Sequence, residues 1–392
     1  CRLPYHAYPF GQMMSSTTNK SVLICAKAFP PVVGGVESYS EHTAQAYLRC
    51  GVTPTVLTSF PGESGWTTRE YPEGKIDVLN VGTGSQPKVL ARLARAARSQ
   101  TRANRFTFCH ATTWRSGVAL LPWARTPRTA VTVHGREILI NPFYLRPVLR
   151  RALPRFDLVA SVSDYTGARL QQEFPELQNS KGRIVSFNGL SYRREACLHT
   201  PSFDRSKVRI YSFCRLVERK NLLNAVRAIA LLKDKRLPVP FEYVISGTGP
   251  LADEIRAAID RLELHEHVRM TGYLPDSQVV ENFKNTDIFL HPQVAAVSDL
   301  DIEGFGLVIA DAMSFGAAAV VGKDGGPSDF IEDDQTGLIV DGGSVEQIAG
   351  ALERLVSDEK YRQRIATQGR AWCLDNLSWD NHVLDIMKAL EV

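Results

Sequence analysis

The segment "EGFGLVIADAM" (303–313) is the part of this chain that decides its interpretation. Glu303 precedes a Gly-Phe-Gly loop, and the apolar run after it predicts a helix that begins near Gly306, with Asp311 about one turn inside. Free N–H groups at such a helix start are suited to bind phosphate, and here they would belong to Gly306, Leu307 and Val308. A carboxylate in an apolar helix needs polar partners, so Asp311 indicates a ligand site.

The composition is that of a soluble globular protein. The chain has 392 residues, 44% hydrophobic and 22% charged, which is enough for two domains. No apolar run approaches the ~18 residues of a membrane span, and no secretory signal opens the chain. Seven scattered cysteines without a C-x-x-C pair are typical of reduced thiols in a cytosolic protein.

Short apolar runs alternate with amphipathic segments, which indicates parallel α/β units. Strands are predicted at 22–25, 55–58, 76–81, 106–109, 129–133, 158–162 and 183–187, and again at 208–213, 241–246, 267–272, 287–291, 317–321 and 338–340. Helices are predicted at 37–50, 89–103, 164–174, 220–233, 250–262, 276–285, from about 306, and at 344–357, 359–373 and 378–390. The expected fold class is α/β, with two Rossmann-like, doubly wound domains facing across a cleft.

The predicted domains are residues 21–193 with 376–392, and residues 200–375, separated by a loop rich in Asn, Gly, Ser and Pro. Residues 1–20 are treated as an extension outside the core. Ligands of doubly wound sheets bind beyond the carboxyl ends of the strands. The residues that follow each strand are therefore the candidates for a site.

Two predicted strand-to-helix turns are suited to bind phosphate. Gly34 and Gly35 open a helix after the first strand, where their N–H groups could meet an anion. Arg215 follows a strand of the second domain and Lys220 begins the next helix, so two cations converge as a diphosphate requires.

A dinucleotide pattern is also present but incomplete. "SGTGPLA" (246–252) places Gly247 and Gly249 between a strand and a helix, as in G-x-G-x-x-A. The acid that NAD requires after the next strand is missing, because that strand ends in Thr271, Gly272 and Tyr273. The pattern therefore argues against NAD.

Taken in order, these motifs resemble those of the retaining glycosyltransferases of GT-B architecture, most of all glycosyltransferase family 4 (group 1). The resemblance covers about residues 21–390 and includes "FPPVVGGVE", "TVHGRE", "RLVERKN", "ISGTGP", "EGFGLVIADAM" and "GGPSDFI". Glu303, seven residues and Asp311 are similar to the family's E-x7-E motif. The resemblance implies a retaining hexosyltransferase whose C-terminal helix, 378–390, crosses back to the N-terminal domain.

The resemblance also implies residue roles. Glu303 would hold donor-sugar hydroxyls, Asp311 the ribose, and Arg215 with Lys220 the leaving diphosphate. Gly35 and the amides of Leu307 and Val308 would contact phosphate. His134 would contact the sugar. Tyr273 and Leu274 would line the base pocket.

The chain departs from the family in two places. Its second acid is Asp311 rather than Glu, one methylene shorter, and the loop before Glu303 is longer. That loop brings Asp299 and Asp301 close to Glu303, either as solvated acids or as acceptor contacts. His110 follows another strand and is a further candidate for the acceptor side.

The expected reaction transfers a sugar from a nucleotide-diphosphate sugar to an acceptor hydroxyl in lipid-linked glycan, polysaccharide or glycolipid synthesis. No cofactor or metal is expected, because the charges of Arg215 and Lys220 would take the place of a metal ion. The only sequence that resembles a metal-binding D-x-D motif is "DLD" (299–301). The alternatives are a soluble small-molecule acceptor, a sugar-nucleotide epimerase, and a non-catalytic nucleotide-binding subunit. The sugar, the base and the acceptor are not specified by the sequence.

The charge is unevenly distributed. Residues 88–156 contain thirteen Arg and one Lys against the single acid Glu137, although the chain carries only +4. One predicted helix repeats arginine every three or four residues, at Arg92, Arg95, Arg98, Arg102 and Arg105, opposite an apolar face. This helix is either an ordinary surface helix or an anionic-membrane contact; no aromatic platform for nucleic acid accompanies it. The expected location is cytoplasmic, peripheral on the inner face of the membrane.

Overall fold

In a computed structural model, both halves of the chain consist of parallel strands connected by crossover helices. The structure describes residues 20–121, 128–139, 145–179, 182–192, 194–197, 206–296 and 301–392. Asp299, and all but the last residue of the expected extension, lie outside the described residues. The chain divides into two compact units, a first unit of Cys1–Gly189 with Ser378–Val392 and a second unit of Leu190–Leu377.

The first unit holds an eight-stranded sheet in the order β3-β4-β2-β1-β5-β6-β7-β8. Its strands are β1 (Lys20–Cys25), β2 (Val52–Thr58), β3 (Gly65–Tyr71), β4 (Gly74–Asn80), β5 (Phe108–Ala111), β6 (Thr129–Val133), β7 (Leu158–Ser161) and β8 (Arg183–Val185). Its first helices are α1 (Gly35–Arg49), α2 (Gln86–Ala103), α3 (Trp114–Leu120), α4 (Arg136–Leu139), α5 (Arg146–Ala152) and α6 (Asp164–Glu173). All pairings are parallel except that of β3 with β4.

The second unit holds a six-stranded parallel sheet in the order β11-β10-β9-β12-β13-β14. The strands are β9 (Val208–Phe213), β10 (Phe241–Ser246), β11 (Val268–Gly272), β12 (Ile288–His291), β13 (Ala318–Gly322) and β14 (Leu338–Val340). The helices are α7 (Leu222–Lys233), α8 (Ala252–Arg261), α9 (Asp276–Lys284), α10 (Leu307–Ser314), α11 (Pro327–Phe330), α12 (Val345–Ser357) and α13 (Glu359–Asn376). The strand order reverses between β9 and β12, which is where doubly wound sheets bind ligands.

The last helix, α14 (Trp379–Leu390), belongs to the first unit and confirms the predicted crossing back. Its apolar face is buried, and His382 is 1% exposed. The His382 Nε2 atom lies 2.7 Å from the Tyr39 hydroxyl of α1. Near the end of α1, Arg49 Nε donates to Asp380 Oδ1 over 2.7 Å. A buried polar contact and a surface ion pair therefore fix the chain's end to its first helix.

The predicted alternation of strands and helices is confirmed, with one strand missed. β3 pairs antiparallel at the sheet edge, and its sequence "GWTTREY" shows no clear apolar alternation because most of its side chains face solvent. The short helices α3, α4, α5 and α11 were also not predicted, since too few turns were available to show a periodic pattern.

Candidate active site

The loop after β9 presents Arg219 and Lys220 through a tight turn. A 3-10 turn over Glu218–Lys220 leads into Asn221, whose φ of 56° is left-handed, a conformation that Asn tolerates better than most residues. The Asn221 amide donates to Pro292 O over 3.0 Å and to Gly342 O over 2.6 Å. The turn that carries both cations is thus anchored to the loop after β12.

Glu303 is fixed by glycines on either side of it. Gly306 is the N-cap of α10 at φ 90°, and a Cβ there would lie 2.9 Å from side-chain atoms of Ile309 and Pro327. At Gly325 a Cβ would lie 2.7 Å from the Glu303 carbonyl oxygen. The neighbouring Gly326 N–H donates to that oxygen over 2.8 Å. Only glycine allows the two loops to approach this closely.

A cluster of charges surrounds the Glu303 carboxylate. Its Oε2 atom accepts hydrogen bonds from Lys220 Nζ and, over 2.8 Å, from Arg219 Nη1. Arg219 also reaches Asp301, with 3.2 Å between Nε and Oδ1. Lys220 is 6% exposed. These residues follow β9 and β12, the two strands between which the sheet order reverses.

His291 completes this cluster at the end of β12. It is fully buried, its Nε2 lies 3.3 Å from Lys220 Nζ, and the same nitrogen lies 3.7 Å from Glu303 Oε2. Burial, helped by the Lys220 charge, lowers the pKa of His291 to about 4. A neutral imidazole whose Nε2 accepts from the Lys220 ammonium fits this arrangement.

The electrostatic result is an ionised carboxylate in a largely buried position. Burial alone would raise the pKa of Glu303, but the Lys220 and Arg219 charges outweigh it and hold that pKa well below its ordinary value. Glu303 can therefore accept hydrogen bonds from hydroxyl groups and cannot serve as a proton donor near neutral pH.

Sequence reasoning missed Arg219 and described Asp301 incompletely. Arg219 follows the same strand as Arg215 and adjoins Lys220 in "ERKN". This additional cation in the loop after the strand was the sequence feature that could have indicated it. The side chain of Asp301 is 14% exposed and paired with Arg219, so its reading as a solvated loop acid is wrong. Asp299 lies outside the described residues.

Arg215 lies on the same loop but is exposed. Within the part of the chain that the structure describes, no hydrogen bond or ion pair joins it to Glu303 or Lys220. Its guanidinium is therefore available to solvent or to a ligand.

Gly247 and Gly249 hold the β10 loop against this β9 loop. A Cβ at Gly247 would lie 1.9 Å from Cys214 O, and one at Gly249 would lie 2.3 Å from Leu216 O. Packing alone therefore accounts for both glycines. Beyond β11, Tyr273 is 70% exposed and Leu274 is half-buried, so both side chains remain open to a base.

Asp311 is 3% exposed within α10, and its Oδ1 accepts the Ser191 backbone N–H over 2.8 Å. Burial raises its pKa to about 7, against the opposing effect of the Ser191 hydrogen bond. In this structure a backbone amide satisfies the shorter acid, whereas the resemblance assigned it to ribose. Ribose binding by Asp311 stays a prediction.

In the first unit, Gly34 precedes α1 and Gly35 begins it; a Cβ at Gly35 would meet nothing within 4 Å. His134 is half-buried after β6, and its Nε2 lies 2.8 Å from Thr112 O. The edge contact between the His134 and Tyr39 rings, 4.5 Å between centroids, further fixes the imidazole.

His110 was a candidate for the acceptor side, and its placement does not support that role. It is fully buried in β5, with Nδ1 3.1 Å from the Tyr47 hydroxyl and Nε2 2.8 Å from Thr132 Oγ1. Burial lowers its pKa to about 3. Both ring nitrogens have partners, so His110 is a core histidine.

The pattern of charges and glycines in the second unit agrees with comparisons to known proteins. The family "Glycosyl transferases group 1" matches residues 201–372, and "Glycosyltransferase Family 4" matches residues 33–186. Together the two ranges span most of the chain. The protein belongs to glycosyltransferase family 4, group 1. It is accordingly a glycosyltransferase.

Named relatives of this family 4 glycosyltransferase include a GDP-mannose-dependent alpha-(1-6)-phosphatidylinositol monomannoside mannosyltransferase of Mycolicibacterium smegmatis. That protein is 26% identical over 91% of this chain and 95% of its own length. A putative colanic acid biosynthesis glycosyltransferase, WcaL of Escherichia coli, is 30% identical over 58% of this chain and 55% of its own.

Solved structures show the same GT-B fold. A sucrose-phosphate synthase from Thermosynechococcus elongatus is similar with a TM-score of 0.76 at 17% identity, covering 95% of this chain and 98% of that one. HepE of Anabaena, in complex with UDP and glucose, is similar with a TM-score of 0.72 at 19% identity, covering 95% and 99%. The predicted fold class is confirmed.

Membrane-spanning helices and metal-binding clusters are both absent from the described residues. None of the helices there has the length and apolar character needed to cross a bilayer. No group of three or more His, Cys, Asp or Glu side chains there is arranged to hold a metal ion. Independence from metals stays a prediction.

The burial of Asp311 predicts a pH-dependent stability. Its pKa is higher in the folded protein than in the unfolded chain, so the carboxyl destabilises the fold progressively as pH rises from about 4 to about 7. Asp311→Asn keeps an oxygen for Ser191 and removes this cost. Without ligand, the variant should gain on the order of 4 kcal/mol relative to wild type between pH 4 and pH 8. Melting at both pH values measures this; an equal difference at both would contradict it.

Proposed function

We propose that this glycosyltransferase moves a sugar, with retention of anomeric configuration, from a nucleotide-diphosphate sugar to an acceptor hydroxyl. The observation that carries the proposal is the ionised Glu303 held between Lys220 and Arg219, at the strands where the sheet order reverses. The E-x7-E resemblance supports the same assignment. Glu303 would accept hydrogen bonds from hydroxyls of the donor sugar.

The leaving diphosphate would be stabilised by charge. Buried Lys220, exposed Arg215 and the N–H groups of Leu307 and Val308 at the start of α10 are the available groups. In the proposed step the bond between sugar C1 and the phosphate oxygen breaks as the acceptor oxygen bonds to C1 on the same face. The acceptor proton passes to the departing diphosphate oxygen, so no protein base is required.

We also propose that the acceptor is lipid-linked and that the enzyme works at an anionic membrane surface. In α2 the residues Val89, Leu93 and Ala97 are buried, while Lys88, Arg92, Arg95 and Arg102 are exposed, followed by exposed Arg105. Arg92 donates to the carbonyl oxygens of Val81 and Thr83 rather than to a carboxylate. The Mycolicibacterium relative is named as a phosphatidylinositol monomannoside mannosyltransferase, which supports a lipid acceptor.

Fewer arginines of residues 88–156 contribute to the basic surface than the sequence predicted. Arg128, Arg146 and Arg150 pair with acids distant in sequence, at 3.0, 3.4 and 3.3 Å. These arginines therefore do not add unpaired charge. The exposed arginines of α2 remain the basis for a membrane contact, each contributing about 1 kcal/mol near an anionic leaflet.

The reaction itself can be tested by product analysis. With GDP-mannose, and then UDP- and ADP-sugars, we expect nucleotide release only when a phosphatidylinositol mannoside or another lipid-linked acceptor is present. The product should keep the donor's anomeric configuration by NMR, and EDTA should leave the rate unchanged. Glu303→Gln should lower kcat, while the exposed Glu332→Gln serves as the matched control.

Four outcomes would contradict this account. Inversion at C1 would exclude retention, and loss of rate with EDTA would exclude independence from metals. An epimer or free sugar formed without acceptor would favour the epimerase alternative. Turnover with a water-soluble acceptor alone would favour the alternative in which the acceptor is a soluble small molecule.

The membrane contact is testable by sedimentation with vesicles. A variant with Arg92, Arg95, Arg102 and Arg105 changed to Gln should bind phosphatidylglycerol vesicles at least about tenfold more weakly than wild type, because four ~1 kcal/mol contributions are removed. Arg146→Gln/Arg150→Gln is the matched control, since those arginines are already paired, and should bind as wild type. Equal binding of wild type to neutral and anionic vesicles would contradict the proposal.

A further inference from the structure

Glu303 has two cationic partners, and they differ in how firmly they are held. Lys220 and Arg219 both donate to the same oxygen, Oε2. Lys220 is also the cation assigned above to the leaving diphosphate. A buried carboxylate left without a partner is strongly unfavourable. If Lys220 turns to the diphosphate, another group has to hold Glu303.

We propose that Arg219, itself held by Asp301, is the positioning residue that keeps Glu303 in place while Lys220 passes to the diphosphate. This inference rests on the proposed function. Arg219 would not contact the donor, so it acts through Glu303 and is distinct from Arg215 and Lys220.

The side chain of Arg219 is fixed at two points. Its Nη1 donates to Glu303 Oε2 over 2.8 Å, and its Nε lies 3.2 Å from Asp301 Oδ1. The planar guanidinium presents its donors in a rigid fork, so two acids bound at different nitrogens set its orientation. The side chains of Arg219 and Asp301 are 16% and 14% exposed, so water screens the pair only in part.

The backbone around this pair is also fixed. The Arg219 carbonyl accepts the Val294 N–H over 3.0 Å. Asp301 and Ala296 exchange backbone hydrogen bonds of 2.8 and 3.1 Å. Asp301, Arg219 and Glu303 therefore form a chain of contacts anchored at its outer end. Lys220, in contrast, contacts Glu303 through one rotatable ammonium that has three donors to distribute.

Arg219 should consequently control the protonation of Glu303 in the complex. The groups that face Glu303 are Lys220, Arg219 and neutral His291, with buried Cys214 nearby and Asp301 acting through Arg219. Two of these are cations that lower the Glu303 pKa. When Lys220 binds the diphosphate, Arg219 is the cation that still lowers the pKa of Glu303. Loss of Arg219 should therefore raise that pKa and move the acid limb of the activity profile to higher pH.

The test separates positioning from diphosphate binding in the full-length enzyme. Arg219→Gln should lower kcat on the order of 100-fold and move the acid limb of the kcat profile to higher pH, while the Kd for GDP measured by calorimetry changes less than about threefold. Arg215→Ala should weaken GDP binding without moving the acid limb. Lys235→Gln, which breaks an exposed ion pair with Glu353, is the unaffected control.

Two further variants keep the test decisive if Arg219→Gln unfolds. Arg219→Lys retains the charge but not the fork, so it should restore the acid limb and only part of kcat. Asp301→Asn leaves Arg219 charged but unanchored, so it should lower kcat with GDP binding unchanged. Unaltered kcat in both would overturn the inference.

Arg219→Gln that loses GDP affinity as Arg215→Ala does, with an unmoved acid limb, would make Arg219 a diphosphate ligand and overturn the inference. Wild type that binds none of GDP, UDP and ADP would instead overturn the proposed function.

Discussion

Burying the Glu303 carboxylate is possible only because two cations face it, and much of the second unit serves to bring them there. The 3-10 turn after β9 presents Arg219 and Lys220, and Asn221 secures that turn to the loop after β12. Gly306 and Gly325 let the Glu303 loop pack without side chains in the way. Without the cations, burial would raise the pKa of this carboxyl and so disfavour the ionised form, which accepts hydrogen bonds at both oxygens.

Sequence reasoning located this site through strand ends. Arg215, Lys220 and Glu303 were identified because each follows an apolar run, and the carboxyl ends of parallel strands share one edge of the sheet. Arg219 and the Asp301 pairing could not be found in that way. Their contact joins residues far apart in the chain, and its existence depends on loop conformations that no local pattern encodes.

The histidines and Asp311 show the same limit. "TVHG" and "FCHA" both place a histidine at the end of a strand, yet His134 is half-buried and His110 is enclosed by Tyr47 and Thr132. The sequence predicted ligand hydroxyls as the polar partners of Asp311, and that stays a prediction. It could not show that the Ser191 amide donates to this carboxylate, because the two residues meet only in the folded unit.

The first unit contributes a different feature, the exposed arginines of α2. Arginines at helical spacing could be recognised from the sequence, whereas the ion pairs of Arg128, Arg146 and Arg150 could not, since their acids lie on other elements. Exposed arginines nevertheless recur along one face of α2. In the proposed function, that face would contact the anionic membrane that carries a lipid-linked acceptor.

The exchange of partners at Glu303 is the central claim, and a crystal structure of the enzyme with GDP and with a GDP-sugar tests it most directly. The account predicts that Lys220 Nζ lies within hydrogen-bond distance of a β-phosphate oxygen in the complex. Arg219 should remain on Glu303 and Asp301, with Glu303 turned towards the sugar hydroxyls. A complex in which the diphosphate lies away from Lys220, or in which Arg219 leaves Glu303 to bind phosphate, would contradict it.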